Sequence, residues 1–160
     1  GDLRSAQSQI DALITAQPNN PYFYELKGQA LLEGGKPNEA IAPLRKAVQL
    51  SGSAPLIEML LGQALVASEN KAYAEEAIKI LRIALSREPE AALGYTQLAM
   101  AYGRKRDYAE ADLASAQAAF MRGDQKTARE LASRAKTRFA IGSPGWVKAD
   151  DIVNTKPIKN

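Results

Sequence analysis

The tetrapeptide Gly-Gln-Ala-Leu occurs twice, at 28–31 and at 62–65, 34 residues apart. That recurrence constrains the fold more than any bulk property, because a period of 20–50 residues marks one supersecondary unit stacked on copies of itself. The glycine carries the mechanical content. Inside a helix it costs about 1 kcal/mol against alanine, a cost offset where the missing side chain lets a neighbouring helix approach. Helical spacing surrounds both copies. Leu3, Ala6, Ile10, Leu13 and Ile14 form one apolar stripe and predict a helix over residues 3–16. Asn20 as N-cap and Pro21 at the first helical position open a second helix to about Leu32, which Gly34-Gly35 ends. A third begins near Pro37 and carries Ala40, Leu44 and Ala47.

These residues resemble the tetratricopeptide repeat (TPR), whose pattern sets large, small and large residues on a first helix and small residues on a second. Tyr24, Gly28 and Leu31 match the first helix, with Lys27 standing where Leu is usual and Gly52 in place of the closing proline. The second repeat opens at Ser53-Ala54-Pro55 and carries Leu61, Gly62, Leu65, then Ala77, Leu81, Ala84 and Pro89. Ala40 to Ala77 is 37 residues, so three extra residues fall in the turn around 68–73, where insertions are tolerated. The third repeat reads Tyr95, Leu98, Ala99, Tyr102, then Tyr108, Ala111 and Ala118, entered through an Asp107-x-x-Glu110 capping box. Ser115 stands where a large apolar residue is expected. The same helix also opens a fourth repeat with Ala116, Gly123, Ala128 and Ala135 in phase, so it is expected to be shared, with a change of superhelical pitch.

The expected fold is therefore all-α: a right-handed TPR helix-turn-helix solenoid of about three to four repeats plus a C-terminal capping helix. Counting back one period makes residues 1–18 the second helix of a truncated repeat, so the chain is expected to be a piece of a longer protein, with Leu3, Ile10 and Ile14 not all buried. Repeats occupy 19–141. Asp124 caps a helix over about 125–140 that ends at Gly142 in a left-handed C′ conformation. Residues 142–153 form a capping segment with Trp146 over the end of the stack, and 154–160 a loose tail.

Composition removes several function classes. The 160 residues include no Cys and no His, which excludes thiolate zinc sites, thiol nucleophiles, HExxH sites and Ser-His-Asp triads. No apolar run has the length of a membrane span. The net charge of +3 is uneven: residues 104–138 hold 9 basic and 5 acidic residues. A basic helical face of that strength reads as solvated surface and not as a nucleic-acid interface. Arg104-Lys105-Arg106 falls in an expected turn, and the tyrosines fall at core spacing. Glu75-Glu76 and Asp150-Asp151 are adjacent pairs that do not face one another on a helix, so no metal or acid–base site is expected.

The segment Pro21–Glu33 (PYFYELKGQALLE), the preceding Ile10–Leu13, the run Phe120–Asp124 and the ending Gly142–Ile152 (GSPGWVKADDI) resemble the TPR region of BepA-like periplasmic zinc metalloproteases of alphaproteobacterial type. The resemblance implies a parent peptidase acting in outer-membrane protein assembly and quality control. Its zinc and catalytic residues would lie in a protease domain outside this chain, leaving no cofactor here. It also implies a periplasmic location, and contacts with that protease domain, the assembly machinery and client segments. A generic TPR scaffold or adaptor is the alternative.

TPR stacks bind along the face lined by the first helix of each pair. In this register that face presents Glu25, Gln29, Met59, Gln63, Thr96 and Met100. It is polar and weakly charged. A peptide would be held by amide hydrogen bonds and adaptable apolar contacts.

Overall fold

The computed structural model describes residues 2–156. Among them are nine helices and no strand: α1 (Asp2–Ala16), α2 (Pro21–Glu33), α3 (Pro37–Leu50), α4 (Pro55–Ala67), α5 (Lys71–Arg87), α6 (Ala92–Arg104), α7 (Tyr108–Met121), α8 (Gln125–Arg138) and α9 (Pro144–Asn154). Local chemistry sets most boundaries. The side chains of Asn20, Asn70, Asp107, Asp124 and Ser143 each accept a backbone N–H at a helix start, and Pro holds the first position of α2, α3, α4 and α9. Gly35, Gly52 and Gly123 turn the chain with φ of +73°, +67° and +80°.

Consecutive helices pack as antiparallel pairs, and the two repeated glycines lie at the crossings. A Cβ on Gly28 would collide with Leu44 of α3. One on Gly62 would lie 2.6 Å from Leu81 Cδ2 of α5. Leu44 and Leu81 are fully buried, so helix backbone and leucine fill one volume that no side chain can share. The main core runs from Leu31 and Ala40 through Leu65 and Leu81 to Tyr102 and Ala114.

The first-helix partners α2, α4 and α6 stack side by side, α4 closely on α6. That progression then stops. No packing links α6 to α8 among the described residues; α7 packs on α9 instead. Helix α7 serves two cores: Ala114 belongs to the main one, while Leu113 and Ala116 join Ala132, Ala135 and Ala149 in a second. The shared helix expected from the overlapping alanine registers is present, and the side-by-side stacking of first helices stops at it.

Three local expectations need correction. Helix α8 ends at Arg138, with Phe139 as an extended C-cap. Gly142 does have φ +80°, but in the following turn and not at C′. Trp146 is half-buried under Lys136, whose Nζ stands 4.6 Å from the ring centroid. The apolar cluster at the end of the stack is made by Ala149, Ile152 and Val153 with Phe139, and Trp146 is not part of it. Asp107 accepts the Glu110 N–H at 3.3 Å, but its own N–H donates to the Tyr102 carbonyl at 3.0 Å, so Glu110 does not close the capping box. Of the α1 stripe, Ile10 is buried, Leu3 and Ile14 are half-buried and Leu13 is exposed. Residues 157–160 of the expected tail lie outside the described residues.

Candidate protein-binding groove

The open face of α2, α4 and α6 is built from residues spaced four apart on each helix. Glu25 and Gln29 share one side of α2; Thr96 and Met100 share the equivalent side of α6. Gln29 is exposed, and its amide donates to Glu33 Oε1 at 3.4 Å. Glu25 and Gln63 are half-buried. Met100 is 48% exposed.

Met59 does not belong to this surface. It is fully buried in the main core. The cause is Gly94. Lacking a side chain, it lets the α6 backbone approach until a Cβ there would sit 3.2 Å from Met59 Cε. The position is open on α2, where the neighbouring helix stands further off, and closed on α4.

Thr96 and Met100 form one wall of a cleft of about 320 Å3. Its floor is Ser115, Ala118 and Ala119 of α7, and Thr127 and Leu131 of α8 form the far wall. Arg122 Nη2 donates to Thr96 Oγ1 at 2.5 Å across it, while the Thr96 hydroxyl donates to the Ala92 carbonyl. The cleft exists because α8 does not pack on α6. Ser115 lies on the open floor, so no large apolar residue is needed there.

A second set of residues on this face escaped the sequence reading. Tyr22, Leu56 and Leu93 occupy the second position of α2, α4 and α6 and are 60%, 62% and 41% exposed. They stand one repeat apart, 34 and then 37 residues, the intervals already seen for Gly28, Gly62 and Ala99. Tyr22 falls at core spacing in the sequence; it lies outside the core, with its ring 5.9 Å from that of Phe23. The signal was a large apolar residue at one register position in all three repeats. Single exposed apolar side chains are ordinary, whereas a periodic row marks a contact surface.

A tetratricopeptide repeat model matches residues 1–55. Among solved structures, the crystal structure of MamA aligns over 96% of this chain and 85% of its own, with 23% identity and a TM-score of 0.71. TTC0263, described as a thermophilic TPR protein in Thermus thermophilus, aligns over 94% of this chain and 90% of its own, with 17% identity and a TM-score of 0.55. The fold is a TPR solenoid. A MamA fragment (41-end) from Desulfovibrio magneticus RS-1 aligns over 95% of this chain and 82% of the fragment, at 18% identity and a TM-score of 0.71. No curated protein matches it in sequence. Among the described residues of the TPR stack, no three His, Cys, Asp or Glu side chains come together as a metal site, and no helix is long and apolar enough to cross a membrane.

The basic triplet at the end of α6 is surface, as expected. Arg104 approaches Glu69 at 3.8 Å and Lys105 pairs with Glu75. Part of the positive charge of α8 is likewise paired within the fold, where Arg134 and Arg138 both bind Asp112 of α7.

Proposed function

We propose that this chain is a protein-interaction module that holds segments of other proteins along the face of α2, α4 and α6. The observation that carries the reading is the row of Tyr22, Leu56 and Leu93 beside Gln29, Gln63 and Met100. The apolar row supplies contact area. Glutamine offers a donor and an acceptor to a backbone without demanding a particular side chain. Met100 adds adaptable contact. Binding to such a face has modest affinity and weak salt dependence, because few charges line it. The experiment is a titration of extended apolar peptides into the labelled chain, read by chemical shifts. Shifts along α2, α4 and α6, reduced at least several-fold in a Leu56→Glu, Leu93→Glu variant, support the reading. Shifts elsewhere, or unchanged binding by the variant, reject it. Changing Gln29 and Gln63 together to glutamate tests the amide contribution separately.

The wording of Pro21–Glu33 and Gly142–Ile152 supports a finer reading: that the module serves a BepA-like zinc metalloprotease in the periplasm. Its partners would then be the protease domain of its own parent and the outer-membrane assembly machinery. An HExxH motif upstream in the same reading frame supports this; its absence leaves a generic TPR adaptor.

A further inference from the structure

The second helices of the repeats line the other side of the stack, and one pair of positions there recurs. Asp11, Arg45 and Arg82 are equivalent on α1, α3 and α5; Glu39, Glu76 and Glu110 are equivalent on α3, α5 and α7. In the middle repeat the two positions meet: Arg45 Nη2 donates to Glu76 Oε2 at 2.9 Å and joins α3 to α5. In the first repeat both are acidic, and Asp11 pairs with Lys27 instead. In the third repeat they carry opposite charges again, yet no ion pair among the described residues involves Arg82 or Glu110. They lie apart around a cleft of about 340 Å3.

Helix α9 completes that cleft, through Pro144, Gly145 and Lys148, because the shared helix α7 brings α9 to this side. Lys148 also makes no ion pair among the described residues. Leu85, Leu98 and Leu113 supply the apolar lining. The side chains of Leu98 and Tyr102 project from the face of α6 opposite Thr96 and Met100, so this cleft is separate from the proposed groove. Glu110, freed from the capping box, lies half-buried within it. Burial, then Asp107, raises its carboxyl above the ordinary range, while Lys148 and Arg82 both act to lower it. Two cations and one carboxylate thus surround an apolar floor, all within reach of one small ligand, at the small end of the roughly 300–1,000 Å3 range of ligand pockets.

We propose that this cleft binds an α-carboxylate carried next to an N–H donor and an apolar side chain, as at the end of a polypeptide or in a free amino acid. The carboxylate would lie between Arg82 and Lys148, the N–H would donate to Glu110, and the side chain would cover Leu85, Leu98 and Leu113. The cleft carries one positive charge in excess of Glu110: the carboxylate of a chain end offsets it, and a free amino acid sets its carboxylate between the cations and its ammonium on Glu110. An amide in place of the carboxylate would leave that excess charge without a partner.

The test titrates the full chain with N-acetyl-leucine, leucine and N-acetyl-leucinamide, read by amide chemical shifts. N-acetyl-leucine or leucine should shift residues around Leu98, Tyr102 and Leu113, and the leucinamide should not. Preference for the acetylated acid assigns the cleft to a chain terminus; preference for leucine assigns it to a free amino acid. Arg82→Gln and Lys148→Gln, both at exposed positions, should each weaken binding about five- to tenfold with unchanged melting temperature. The Leu56→Glu, Leu93→Glu variant should bind as the parent does. Equal binding of the leucinamide, no shifts with either acid at millimolar concentration, or full affinity in both cation variants overturns the proposal.

Discussion

At Gly28 and Gly103 the same residue type has opposite meanings. A Cβ at Gly28 has no space beside Leu44, whereas one at Gly103 meets nothing within 4 Å. Gly28→Ala should therefore destabilise by about 1–2 kcal/mol despite the better helix propensity of alanine. Gly103→Ala, in an open helical position, should stabilise by about 0.5–1 kcal/mol. Thermal melts of the two variants check both signs. Glu58 is the other informative residue. It stands where Tyr24 and Tyr95 stand in their repeats, and those hydroxyls donate to the Pro18 and Pro89 carbonyls at 2.7 and 2.8 Å. Glu58 has no proton to give when ionised. It is 4% exposed, and its Oε1 has no partner. Burial raises its pKa above the ordinary carboxylate value, with Arg87 opposing. The folded chain therefore holds that proton to higher pH than the unfolded chain. Glu58 contributes most to stability below its unfolded pKa, and that contribution is lost as pH rises through the folded one. Glu58→Gln should accordingly gain in melting temperature over the parent as pH rises through this window. A pH-independent difference would show that the carboxyl is solvated.

Helix α8 is held in an unusual way for a core element. Its buried residues are Ala128, Ala132 and Ala135, which bring little apolar area. Asp112 of α7 compensates. Arg134 donates to both its oxygens at 2.9 and 2.7 Å, and Arg138 Nε approaches at 3.1 Å. Such charge-assisted, bidentate contacts are the strong kind, although the exposed arginine ends limit their worth. Asp112→Ala should cost about 1–2 kcal/mol and raise hydrogen exchange in α8 before α4 or α5. Arg45→Ala, which removes the exposed Arg45–Glu76 pair, should stay within about 0.5 kcal/mol. Chemical denaturation of the two variants compares them directly.

Across the molecule, burial is concentrated in the middle. Helices α4 and α5 are buried along most of their turns, whereas α1 contributes one buried residue, Ile10, and α9 contributes Gly145 and Ala149. In a stack where each element touches only its neighbours, stability follows local burial. Hydrogen exchange should be slowest in α4 and α5, with α1 and α9 opening first. Uniform protection through all nine helices would instead indicate one cooperative unit.

The amino-acid sequence determined the elements and their order. Caps, prolines and three-and-four spacing are local signals, and the 34-residue interval repeats the same steric requirement at Gly28 and Gly62. Even the double role of α7 was legible, because Ala111 and Ala118 continue one register while Ala116 opens another. The tertiary structure decided which side of each helix stays open. Met59 has the register of a groove residue and is buried, because the distance between α4 and α6 depends on Gly94, far along the chain. Tyr22, with core spacing, is exposed at the second position of α2. The charged cleft at Arg82 and Glu110 depends on the separation of two walls and on α9 reaching one of them. Such separations are sums of packing over several helices, and no local pattern encodes them.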